Sequence, residues 1–305
     1  MSILQAKPVP MILDTDTFNE IDDQFALVYA LCSPEHWRVA GVTAAPFLNT
    51  RSDSAGDGMR KSHDEILRIL ELMGCRGRIP ACAGSTRFME GKRRAVESHA
   101  AGFIAEAARR ANARGEVLHI CAIAALTNVA SALLIDPEIR RMIRIIWLGG
   151  HRYDMGRNDE FNLRQDVAAA QTVFDSGCEL WHLPCLGVVQ ALRIGREELD
   201  RELDGGDRAS EYLRSIFHEF LDRRELKDKV LWDISTIASL TVPEAFRFRM
   251  LSAPLLHDDM RWELTSGRHR IRVAEHVDRD PVFTDLFRRL RRNAELCGGR
   301  HVQNF

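Results

Sequence analysis

Residues 11–34, MILDTDTFNEIDDQFALVYALCSP, decide the fold. A short apolar run, Met11-Ile12-Leu13, ends in Asp14-Thr15-Asp16. Six residues after Asp16, the pair Asp22-Asp23 opens a stretch with Phe25, Ala26, Val28, Tyr29 and Leu31 at helical spacing, which Ser33-Pro34 then stops. The pattern is a strand followed by a helix, with carboxylates at the carboxyl end of the strand. Open α/β sheets gather their ligands at that edge.

Outward from this unit the same alternation repeats. Apolar runs at residues 39–44, 117–122, 143–148 and 180–183 join 10–13 as candidate buried strands. Residues 22–32, 58–73, 92–111, 128–134 and 167–174 carry apolar side chains at helical spacing. The expectation is an α/β fold with a mostly parallel central sheet and helices on both faces. Residues 196–203 and 207–224 read as two charged amphipathic helices separated by Gly205-Gly206, a helical insertion of about residues 196–229. With no Pro- or Ser-rich linker and no repeat, residues 1–305 are read as a single domain. A hairpin over 262–273 and a basic helix around 286–292 are expected beyond it.

The bulk composition narrows the partners. Forty-two basic residues face 44 acidic ones, a formal net charge of -2, so no global field favours nucleic acid or an anionic membrane. Small molecules and copies of the chain itself remain. No run is long and apolar enough to span a bilayer, and the first eleven residues lack the parts of a secretory signal. Seven cysteines without a CxxC pair fit neither a zinc ribbon nor a secreted disulfide framework, so a reducing cytoplasm is expected.

Several carboxylates converging on one crevice repel one another, and a bound cation is the usual way to keep them ionised together. Oxygen-only donors select a hard cation, and a site that also takes sugar hydroxyls needs the high coordination number of Ca²⁺. Taken alone, Asp22-Asp23 is equally well explained as a helix start favoured by capping and the helix dipole. Asp14 and Asp16 at a strand end shift the reading toward a site. A strand-end Asp-x-Asp also fits a haloacid-dehalogenase-type phosphatase with Asp14 as nucleophile.

The run ILDTDTFNEIDDQFAL resembles the DxDxxxDD metal signature of the inosine-uridine-preferring nucleoside hydrolases, with five residues (17–21) before Asp22-Asp23 where the commoner pattern has three. Four further segments resemble that family in order. They are VTAAPFLN ending in Asn49, ALTNVA containing Thr127, EFN at 160–162 followed by Asp166, and Trp232-Asp233. The resemblance implies Asp16, Asp23, Asp233 and the Thr127 carbonyl as metal ligands. It implies Asp22, Asn49, Glu160 and Asn162 as ribose-binding residues, with Asp14 behind them in support.

The reaction so implied is hydrolysis of an N-ribosidic bond through an oxocarbenium-like transition state, with a metal-activated water and Asp16 as general base. A His precedes the late Asp in well-known members; here Trp232 stands there, and an indole cannot protonate a leaving base. Trp232 is therefore read as a stacking residue, with His151 or Tyr153 near the leaving group. The resemblance also implies a homo-dimer or homo-tetramer. A non-catalytic nucleoside- or ribose-binding relative is the other alternative, motivated by the missing His.

Overall fold

The computed structural model describes residues 7–156 and 158–301, with side chains through residue 296. Residues 1–6, which carry most of the N-terminal stretch read above, lie outside the described residues. Strand β1 (Val9–Thr15) runs directly into the acidic turn and helix α1 (Asp22–Leu31). After it come β2 (Trp37–Ala44), α2 (Ala55–Leu72), β3 (Ala81–Cys82), α3 (His99–Asn112), β4 (Leu118–Ala122) and α4 (Thr127–Ile135). Strand β5 (Ile143–Leu148), α5 (Phe161–Gln165), α6 (Val167–Asp175) and β6 (Glu179–Leu183) complete the first two-thirds.

Among the described residues the central sheet has eight strands. Its first six lie in the order β3-β2-β1-β4-β5-β6, all parallel. This is the doubly wound order, and the reversal of direction falls between β1 and β4, where such sheets open a crevice at their carboxyl ends. Side chains alternate across the sheet as the pleat requires. Met11, Leu13, Cys121, Ile146 and Leu148 pack on one face with Phe25 and Leu27 of α1 and Ile66 of α2. Ile12, Ile120, Ala122, Ile145 and Trp147 pack on the other with Ile104 of α3, Val129 of α4 and Val173 of α6. Helices thus cover both faces, as the buried runs demanded.

The helical pair expected over 196–224 forms as α7 (Arg196–Leu203) and α8 (Arg208–Arg224). Gly205 supplies the left-handed φ of +65° between them, and the Asp207 side chain caps α8 at the Ser210 amide. Strand β7 (Arg193–Gly195) precedes the pair and β8 (Asp228–Val230) follows, the two pairing antiparallel to close its base. Helix α9 (Ile234–Thr241) starts three residues beyond Leu231.

Two expectations are corrected. The helix expected over 92–111 begins only at His99, because Ser98 caps the Ala101 amide and the Val96 amide donates to Ser131 Oγ. The expected hairpin over 262–273 does not form. After β9 (Phe246–Ser252), the short β10 (Leu255–Leu256) pairs with β11 (Trp262–Glu263). Strand β12 (Arg270–Val277) instead joins the central sheet, parallel to β6 and antiparallel to β9. Burial decides this, since Ile271 and Val273 reach the core only when β12 lies beside β6. The basic helix is the middle of the longer α10 (Arg279–His301).

Candidate active site

The carboxyl ends of the parallel strands open into one cavity of about 600 Å³, within the range of small-molecule sites. Asp16, the first residue past β1, lines it together with Asp22 and Asp23 from the first turn of α1. The loop after β2 supplies Asn49. Beyond β5, the Gly149-Gly150-His151 turn and the start of α5 supply His151, Glu160 and Asn162. Trp232 and Asp233, just before α9, close the far side.

The acids are buried: Asp16 is 1% exposed, Asp22 and Asp23 2% each, and Asp233 5%. Carboxylate oxygens of Asp22, Asp23 and Asp233 lie within 4.8 Å of one another. Asp16 Oδ2 is buried with no hydrogen-bond partner. Loss of water, and then the charges of Asp23 and Asp22, drive the Asp16 carboxyl well above the ordinary carboxylate range. Burial and Asp22 push Asp23 up to about 7, and Asp233 rises through burial and the same two neighbours. An orphaned carboxylate oxygen beside three crowded carboxylates is a donor set that suits a hard divalent cation and little else.

Each acid is held by specific neighbours. Thr15 Oγ1 donates to Asp23 Oδ1 at 2.5 Å, so the last residue of β1 fixes the second residue of α1. Both oxygens of Asp22 are engaged: the Trp232 amide donates to Oδ2 at 2.8 Å and Lys229 Nζ lies 3.0 Å from Oδ1. Glu160 caps α5, accepting from the amides of Asn162, Leu163 and Gly150. Gly150 makes that contact from a left-handed φ of +64°, a conformation that favours glycine. Asn162 Nδ2 donates to the Leu148 carbonyl, and Asn49 Nδ2 to Asn19 Oδ1 at 2.6 Å. Nδ1 of His151 accepts from the Leu186 amide at 3.4 Å, which in the neutral ring places the proton on Nε2.

Asp14, Thr127 and Tyr153, all named from sequence, do not line the cavity, and the Tyr153 hydroxyl is bonded to His182 Nδ1 instead. Asp14 is fully buried beneath the cavity, with Oδ1 accepting from Thr43 Oγ1 and Asn128 Nδ2. From there it supports the sheet edge but cannot reach a phosphoryl group, and a phosphatase built on Asp14 is set aside. Thr127 is the first residue of α4, and its hydroxyl donates to Asp166 Oδ2 at 2.7 Å. At the same carboxyl edge it is Ile123, one residue past β4, that lines the cavity.

Asn19, Glu20, Ile123, Cys185 and Arg224 also line the cavity without having been singled out. The signal for Asn19 and Glu20 was the longer turn itself. For Lys229 it was a charge set in the apolar run Val230-Leu231-Trp232. Ile123 contributes no polar side chain and could be found only in three dimensions.

Fold and site together define a doubly wound α/β protein with a buried carboxylate cluster at the carboxyl edge of its sheet, of a kind that could hold a cation. The profile of the inosine-uridine preferring nucleoside hydrolase family matches residues 11–284, and the chain belongs to that family. It is an N-ribohydrolase that acts on the N-glycosidic bond of ribonucleosides. It is 27% identical over 265 residues to "Probable uridine nucleosidase 2" of Arabidopsis thaliana, covering 78% of this chain and 79% of the relative. To the "Pyrimidine-specific ribonucleoside hydrolase RihA" of Citrobacter koseri it is 28% identical, over 78% and 81% of the two chains. The solved structure of a purine-preferring ribonucleoside hydrolase from Gardnerella vaginalis shares the fold, with a TM-score of 0.75 at 21% identity over 94% and 99% of the chains. No helix among the described residues is long and apolar enough to cross a membrane.

Proposed function

We propose that this chain hydrolyses ribonucleosides to free base and ribose in a Ca²⁺-dependent reaction, with Asp16 as general base. The observation that carries this reading is the buried, unpartnered Oδ2 of Asp16 set beside the Asp22-Asp23-Asp233 carboxylates at the cavity floor. A bound divalent cation would supply the charge that holds these groups ionised together and lower the pKa of a water toward neutrality.

Asp16, Asp23 and Asp233 are the side chains that would hold the cation. Ile123 lines the cavity where Thr127 does not, so its carbonyl replaces that of Thr127 as the candidate backbone ligand. Asp16 Oδ2 takes the proton from the attacking water. Asp22, already engaged by Lys229 and Trp232, is left to accept ribose hydroxyls, with Glu160, Asn162 and Asn49 as further sugar contacts in the same cavity. A carboxylate has about four lone-pair sites, so two internal contacts leave room for the sugar. Buried acceptors left unpaired by a missing hydroxyl make such a site strict for ribose.

Trp232 stacks against the base, and His151, with its proton on Nε2, stands near the leaving nitrogen. The enzyme is further read as a cytoplasmic homo-dimer or homo-tetramer. The family resemblance supports the assembly, and the six described cysteines, none in a disulfide, suit a reducing compartment. The test is reducing-sugar release from uridine, cytidine, inosine and adenosine, before and after chelation and again with Ca²⁺ restored. Release from none of them would sink the reading, and activity indifferent to the chelator would remove the cation from it.

A further inference from the structure

Lys229 is the one buried lysine that the proposed chemistry leaves without a direct role. It sits in β8 with 5% of its surface exposed and does not line the cavity. Its Nζ lies 2.6 Å from Glu20 Oε2 and 3.0 Å from Asp22 Oδ1, with the Phe220 ring 5.2 Å away. Both of its acidic partners do line the cavity.

The five-residue turn between Asp16 and Asp22 is what makes this contact available, since it carries Glu20 toward β8. The same turn is tied on its other side through Asn19, whose Oδ1 accepts from Asn49. One wall of the site is therefore a strap fastened at Asn49 and at Lys229. An ammonium has three donors and no acceptor, so it can grip two carboxylates at once while holding both as pure acceptors.

We propose that Lys229 is a positioning residue for ribose recognition: its double ion pair with Glu20 and Asp22 orients Asp22, together with the Trp232 amide, so that the remaining lone pairs of Asp22 meet the sugar hydroxyls. This deepens the proposed function and rests on its assignment of Asp22 to the sugar. With the ammonium removed, the Asp22 carboxylate faces Asp23 and Asp233 with no compensating charge and turns out of register. A hydroxyl contact needs that register, whereas the packing of β8 does not.

The test compares the wild-type enzyme with Lys229→Met, Asp22→Asn and the double variant, reading kcat/KM for a ribonucleoside and for its 2′-, 3′- and 5′-deoxy analogues. Lys229→Met is expected to reduce selectivity against at least one deoxy analogue by about tenfold or more, the size of one lost charge-assisted contact. In the Asp22→Asn background the same change is expected to alter that selectivity no further, because the contact it positions is already gone. Lys229→Arg, which keeps the charge, should recover part of the loss.

Equal selectivity in wild type and Lys229→Met overturns the proposal. So does a further loss in the double variant beyond Asp22→Asn alone. The double variant removes one charge of each sign and so keeps the comparison available even where Lys229→Met does not fold. A wild-type enzyme that hydrolyses ribo- and deoxynucleosides equally overturns the sugar-binding reading of Asp22 instead, which separates the two failures.

Discussion

Thr15 Oγ1 donates to Asp23 Oδ1 across the junction of the first strand and the first helix, and so joins the sheet edge to the acidic cluster. Partners behind metal ligands commonly set affinity by tenfold to a hundredfold through orientation alone. Thr15→Val keeps the β-branched shape and removes the donor. We expect it to weaken Ca²⁺ binding by about tenfold with the fold retained. Calorimetric titration with Ca²⁺ checks this, and an unchanged affinity would show that packing holds Asp23 in place without the hydroxyl.

Asp16→Asn separates stability from activity. The variant should lose about 10²–10⁴-fold in kcat, the usual contribution of a general base, or more because the carboxylate also holds the cation. Yet the cation-free variant should melt higher than the cation-free parent at pH 8. In the parent, ionising a buried carboxyl beside Asp23 and Asp22 works against the folded state. A lower melting temperature for the variant would contradict this account of the site.

Cation binding should depend on pH with a definite sign. Burial, and then Asp22, raise Asp23 to about 7 from an unfolded value of 3.8, so between these limits the folded chain holds a proton that the unfolded chain has lost. Stability without the cation therefore falls as pH rises from about 4 to about 7, by linkage. A cation binds only the ionised carboxylates, so binding tightens over the same range and releases protons. The melting-temperature gain on adding Ca²⁺ should accordingly be larger at pH 8 than at pH 5. A gain independent of pH would mean the carboxylates are already ionised in the empty site.

Half-buried Tyr153 and fully buried His182 form a relay behind the Gly149-Gly150-His151 turn. One ring nitrogen of His182, Nε2, donates to the Gly149 carbonyl at 2.6 Å. The other, Nδ1, then accepts the Tyr153 hydroxyl, also at 2.6 Å. Burial pushes His182 down to about 4, so it stays neutral and its contribution is lost only as pH falls from about 6.5 toward 4. Tyr153→Phe strands the buried Nδ1 and should cost about 1–3 kcal/mol. Urea unfolding at pH 7 measures this, and a change below about 0.5 kcal/mol would show that the relay is not what holds the turn.

The first βα unit was legible because Met11-Ile12-Leu13 is apolar without interruption and the next residues are not. A strand buried on both faces writes that pattern directly. The β5 strand, Ile143–Leu148, was read to its residue limits for the same reason. The edge elements were not legible. Phe246–Ser252 is half exposed and alternates Phe with Arg, so its period could not say which strand it would join. The start of α3 was missed because a serine cap decides it against a run of residues with acceptable helix propensity.

The sequence by itself determined the alternation of the buried parallel strands with their helices, the acids at the end of β1, and the family, since these rest on local periodicity and on short motifs. Only the tertiary structure decided which oxygens are free to act. It placed Asp14 beneath the cavity and Thr127 against Asp166, brought Ile123 to the floor, and set Lys229 on Asp22 from more than 200 residues away. The physical reason is that charge, burial and hydrogen-bond satisfaction belong to neighbours in space. A carboxylate's role is set by what surrounds it once the sheet has closed.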